Sequence, residues 1–183
     1  MTAAPLADDR AWAIPDYVSP VEAWRVWKVG VRNAQIVLES LFAQATWEPG
    51  VPLAAICVTG HRSRWRPWRV QLNDHPAPDF GCTCGIYGVA TSAAAQEYLS
   101  AHRFASRGDR VFGRVALWGD VVESEVGWRA SYAYPLEIFV PVAVAERGGL
   151  RRRAYLEEIA FGLESYRVPV DFVAAQPGLG VVG

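Results

Sequence analysis

Two of the three cysteines of this 183-residue chain lie two residues apart in Cys82-Thr83-Cys84-Gly85, and the third is Cys57. Between them sits His75, in Asn73-Asp74-His75-Pro76-Ala77-Pro78-Asp79. Three thiols and one imidazole form a ligand set for zinc, which takes sulfur and nitrogen donors in a tetrahedron. On a tight turn, Cys82 and Cys84 can aim both thiolates at one ion. Pro76 and Pro78 stiffen the approach of His75, and Gly85 permits a positive φ or close packing directly after the last ligand. His61 follows Cys57 by four residues and competes as fourth ligand. His75 is preferred for its prolines and its short spacing to Cys82.

The ligand spacing, C-x17-H-x6-C-x-C, matches no standard zinc-finger pattern. Against the metal stands a plainer reading, in which Cys57 is a small buried hydrophobe and Cys82 and Cys84 are incidental. If zinc binds, four protein donors leave no open position, so the expected role is structural rather than catalytic. A catalytic zinc wants a general base nearby. Asp74 and Asp79 are the nearest carboxylates, but acids in a Pro-rich loop are turn-formers that accept backbone N–H bonds. A third chemistry, thiol redox by Cys82 and Cys84, would close a short, strained ring.

A second constellation is His61-Arg62-Ser63-Arg64-Trp65-Arg66-Pro67-Trp68-Arg69, with four arginines, two tryptophans and no acid in nine residues. Arginine offers bidentate contacts to carboxylate or phosphate, and tryptophan offers a stacking face. Arg62, Arg64, Trp65, Arg66, Trp68 and Arg69 are therefore candidate contacts to an anionic partner. The plain alternative is an exposed loop whose tryptophans tuck under the sheet. Net charge is −1, which gives no bias toward nucleic acid or an anionic membrane. A protein partner thus ranks ahead of nucleic acid.

Other candidates weaken against ordinary roles. Trp118, Trp128, Tyr132 and Tyr134 could line an aromatic pocket, but cross-strand core pairs explain them as well, and Trp118 is expected in the core. Asp120, Glu123 and Glu125 read as solvated charges on a long hairpin. The chain has no G-x-S-x-G, Walker A or H-E-x-x-H motif.

The elements that must position these residues are mostly strands. Residues 1–20 form a loose lead-in. Ala23–Val29 and Gln35–Leu41 read as a hairpin turning over Gly30–Asn33. Pro52–Val58 is an apolar run expected to deliver Cys57 at a strand end. Thr59–Phe80 is expected to be a long loop with one short strand at Arg69–Leu72. Gly85–Ala90 looks extended, and Thr91 or Ser92 can cap a helix over Ala93–His102. Val111–Val140 is dense in β-formers, with a turn at Ser124–Gly127 and bulges near Gly113 and Gly119. Leu156, Ile159, Ala160 and Leu163 share one face of a last helix, Leu150–Tyr166, whose basic start at Arg151–Arg153 runs against the helix dipole. Val168–Val173 offers a closing strand.

With 51% hydrophobic residues and no linker or composition shift, residues 21–183 are expected to form a single α+β domain. The expected architecture is a curled antiparallel sheet, or partly open barrel, with two helices and a zinc-stapled loop. Residues 1–9 lack the basic start and apolar core of a secretory signal, and no window reaches membrane-span length. With an odd cysteine count, a reducing cytoplasmic setting is expected. The functional expectation is a zinc-stabilised, non-enzymatic binding module for a protein or other anionic partner. The alternative is an enzyme, either a zinc-dependent hydrolase or a thiol-redox protein using Cys82 and Cys84.

Overall fold

β1 (Val21–Arg32) and β2 (Gln35–Ser40) form an antiparallel hairpin closed by Asn33 and Ala34. Both turn residues have positive φ, 49° and 61°, which matches the right-handed twist of the flanking strands. In this computed structural model, residues 19–42, 45–57, 60–62, 70–72, 75–100, 109–143 and 149–175 are described. β3 (Thr46–Trp47) extends the hairpin by pairing with β2. The long hairpin of β8 (Arg110–Ser124) and β9 (Gly127–Ala143) dominates the rest, and its turn falls where the sequence places it.

β1 pairs with β8, β8 with β9, β9 with β7 (Ile86–Val89), and β7 touches β1 again at Trp24 opposite Val89. These four strands close a ring. A ring this narrow has little interior, so inward positions must be small. Ala23, Ala130 and Ala133 are almost wholly buried there, and a Cβ on Gly88 would meet the Ala23 Cβ at 2.6 Å. Val115, Leu117 and Ile138 fill what remains of the apolar centre.

The sheet has eight strands and is mixed rather than wholly antiparallel. β10 (Val170–Ala175) runs parallel to β9, because α2 (Gly149–Leu163) and a 3₁₀ turn (Glu164–Tyr166) carry the chain back first. Leu156, Ile159 and Leu163 are buried as the helical spacing requires. Tyr166 then ties the C-terminal part to the first hairpin: its hydroxyl accepts from the Leu38 N–H at 2.8 Å and donates to the Trp47 carbonyl. Burial pushes that phenol up. On the other face, α1 (Ser92–Ser100) is capped by the Thr91 hydroxyl, which accepts from the Ala94 N–H at 3.2 Å. This helix covers a smaller cluster of Val26, Ala95 and Phe112, bordered by Trp24 and Phe139.

The β8–β9 register slips twice, between Arg114 and Val115 and between Trp118 and Val121. The second slip is a bulge on Gly119, at φ 79°, with the Asp120 N–H donating to the Ser131 Oγ at 3.2 Å. Trp118 departs from expectation. Strand alternation sends Leu117 inward and Trp118 outward, where it is half-buried and stacks on exposed Tyr132 at 6.1 Å. Among the described residues, the buried tryptophans are Trp27 and Trp47, set edge to face at 5.6 Å. Among the described residues, no helix is long and apolar enough to cross a membrane.

Candidate metal centre

Three separate stretches bring the four predicted donors together. Cys57 follows β4 (Leu53–Ala54), a two-residue strand on β9, so it lies three residues past a strand shorter than expected. The Ala55 N–H donates to the Ser131 carbonyl at 2.7 Å and prolongs that attachment toward Cys57. His75 opens the Pro-rich loop, and Cys82 and Cys84 sit on the turn that enters β7. Thr59–Phe80, expected as a long loop with one short strand at Arg69–Leu72, contains a small antiparallel pair, β5 (Gly60–Arg62) and β6 (Val70–Leu72).

The donor atoms of Cys57, His75, Cys82 and Cys84 all lie within 4.8 Å of one another. Sγ of Cys57 and Sγ of Cys82 are 3.7 Å apart. Two sulfurs at about 2.3 Å from one tetrahedral zinc would stand about 3.8 Å apart. His75 Nδ1 lies 2.8 Å from the Pro76 carbonyl oxygen. A carbonyl only accepts, so Nδ1 carries the proton and Nε2 keeps the lone pair of the neutral ring. Nε2 is buried without a hydrogen-bond partner. A metal-binding imidazole has this arrangement, with its other nitrogen fixed by a backbone oxygen. The residues present therefore fit a tetrahedral metal ion.

Without a cation, two of the donors hold their protons, which a metal ion must displace. The Pro76 carbonyl first, and hydrogen bonding to Cys82 next, push His75 up to about 9, so the neutral ring with its Nε2 lone pair is the form the metal selects. Burial, reinforced by the neighbouring thiols, pushes Cys84 up to about 11. A bound cation reverses the second effect and holds the thiol as thiolate.

The turn is fastened from two strands. From β9, Arg129 Nη1 donates to the Cys82 carbonyl at 2.5 Å and the Cys84 carbonyl at 2.8 Å, with the Asp79 carbonyl at 3.4 Å. From β7, the Tyr87 hydroxyl donates to the Thr83 carbonyl at 2.5 Å, and the Arg129 guanidinium lies 5.9 Å from the Tyr87 ring centre. Gly85 has φ 118°, and a Cβ there would press on Pro78 at 3.0 Å and Arg129 at 3.1 Å. Asp79 is a turn-former, accepting the Gly81 N–H at 2.8 Å on its carboxylate. Asp74 lies outside the described residues. Arg129 carries no spacing signal in the sequence, since only the pairing of β7 with β9 brings it to the cysteines.

Arg62 ends β5, while Arg64, Trp65, Arg66, Trp68 and Arg69 lie outside the described residues. The four hairpin aromatics split up. Tyr134 packs toward Tyr166 at 6.3 Å, Trp128 packs against the main core, and Trp118 with Tyr132 faces outward. Beside Tyr132 lies an open cavity of about 320 Å³ walled by Ala54, Ala55, Pro76, Ala77, Asp120 and Ser131. Sequence reasoning missed this cavity because its walls come from β4, the His75 loop and the β8–β9 bulge. No family model matches the chain, and no curated protein or solved structure matches it.

Proposed function

We propose that the chain is a zinc-stabilised, non-enzymatic binding module. The observation that carries this reading is the four-donor cluster with His75 Nε2 buried and unpartnered at its edge. Three thiolates and one imidazole complete a tetrahedron and leave no position for substrate, as in structural zinc sites. The burial of Cys57 and Cys84 speaks against thiol-redox work, which needs an accessible thiolate.

Binding is assigned to the surface around the centre. Two walls of the 320 Å³ cavity belong to segments that carry ligands, Ala54–Ala55 before Cys57 and Pro76–Ala77 after His75. The Arg62–Arg69 segment joins the same two ligands and supplies the cationic, aromatic chemistry for an anionic protein partner.

Native mass spectrometry of the full chain should show one zinc per chain, removed only by denaturation or strong chelation. Titrated with a poly-glutamate peptide and followed by tryptophan fluorescence, the protein should bind in a manner that weakens steeply with salt. Replacing Arg62, Arg64, Arg66 and Arg69 by Gln should abolish that binding while leaving zinc content and melting unchanged. Full peptide binding by the quadruple variant would exclude the arginine segment.

A further inference from the structure

A divalent cation held by three thiolates and a neutral imidazole carries one net negative charge. Burying such a centre is costly unless a positive group stands beside it. Resting on the zinc reading, we infer that Arg129 is the counter-charge and positioning residue of the metal centre. Its Nη1 meets the carbonyls of both Cys82 and Cys84, at 2.5 and 2.8 Å, and so spans the two residues whose thiolates share one turn. Among the described ion pairs, none involves Arg129. The guanidinium instead ends on main-chain oxygens and the face of Tyr87. A half-buried cation in that position gains its compensation from the metal–thiolate charge next to it.

The two roles separate by chemistry. As a donor, Arg129 Nη1 bridges the Cys82 and Cys84 carbonyls, which sets the path of the turn and hence where both sulfurs point. As a charge, it favours the thiolate form of the ligands over the thiol. Tyr87 provides the control, because its hydroxyl ties the same turn through the Thr83 carbonyl without adding charge.

The test uses the full chain, with zinc affinity measured by chelator competition and coordination followed by Co²⁺ absorption. Arg129→Gln is expected to weaken zinc by roughly 10–100-fold, the usual scale for an outer-shell partner, while tetrahedral thiolate bands persist. Arg129→Lys, which keeps the charge on a differently placed donor, is expected to recover part of that loss. Tyr87→Phe is expected to lower the melting temperature with a much smaller effect on affinity. Wild-type affinity in Arg129→Gln overturns the proposal. Equal losses in the Lys and Gln variants remove the counter-charge role, and equal losses in Tyr87→Phe and Arg129→Gln reduce Arg129 to a structural tie. If Arg129→Gln does not fold, Arg129→Lys decides: zinc affinity within about tenfold of wild type is expected from the retained charge, and a loss of about 100-fold or more contradicts the counter-charge role. A wild-type chain that shows no thiolate–Co²⁺ bands overturns the zinc reading and this inference together.

Discussion

At the scale of single residues, each donor has one task and few substitutes. Serine in place of Cys84 loses the thiolate and, at a buried position, keeps a hydroxyl with poor affinity for zinc. Cys84→Ser is expected to lose about one equivalent of zinc and to melt about 5–10 °C lower, since metal-binding free energy here is folding free energy. Elemental analysis and thermal melting check both halves. Asp79→Asn is the matched control: its side-chain oxygen can still accept the Gly81 N–H, so metal content should not change. The clustering of these four donors was legible in the sequence because residue type and spacing carry the chemistry directly. His75 was separable from His61 by its prolines, and the Pro76 carbonyl now fixes its tautomer. Arg129 was not legible, because its role exists only once β9 has crossed beside β7.

At the scale of elements, strand alternation decides which aromatics matter. Trp27 and Trp47 are the fully buried pair, and either one replaced by Ala should cost roughly 3–5 kcal/mol by denaturant titration. Trp118→Ala should cost much less and leave the protein soluble, since Trp118 stacks on the outer face with Tyr132. An insoluble Trp118→Ala would contradict the outward placement. The long hairpin, its turn and the Gly119 bulge were readable from β-formers and glycines. Trp118 was misread because the apolar triplet around it masked the period-two signal that sends it out. The strand expected over Pro52–Val58 is shorter for a different reason: only Leu53 and Ala54 pair with β9.

One helix contact sets a pH dependence. Asp109, at the entry to β8, is paired with Arg152 of α2. Partial burial alone would raise this carboxyl, but hydrogen bonds from Arg152 and Tyr155 outweigh it and hold the pKa below the ordinary value. A depressed carboxyl contributes stability above its unfolded pKa of about 3.9 and loses it as pH falls through the folded value. The wild-type advantage over Asp109→Asn in urea should therefore be present at pH 6 and vanish toward pH 2. Its size should be about 0.2–1 kcal/mol, because Arg152 is largely exposed. A difference that grows on acidification would give the pairing the wrong sign.

At the scale of the whole molecule, a metal ion in the proposed centre would tie the His75 loop to the two strands, β4 and β7, that pair with β9. Cys57 leaves β4, the Cys82–Cys84 turn enters β7, and both strands pair with β9. The ring and its α2 cover have their own buried core. Chelation is therefore expected to loosen β4, the His75 loop and β7 in hydrogen exchange well before β1, β8 and the first hairpin. Uniform exposure of the whole sheet would show instead that the ring cannot close without metal. The α+β class and both helices were legible from periodicity, whereas ring closure and the parallel β10 depend on long-range pairings that no local pattern encodes. The central claim, a tetrahedral Cys₃His zinc centre, is tested most directly by zinc X-ray absorption on the purified full chain. Three sulfurs at about 2.3 Å and one nitrogen at about 2.0–2.1 Å are expected. A protein free of zinc, or a zinc shell with oxygen donors or fewer than three sulfurs, would contradict it.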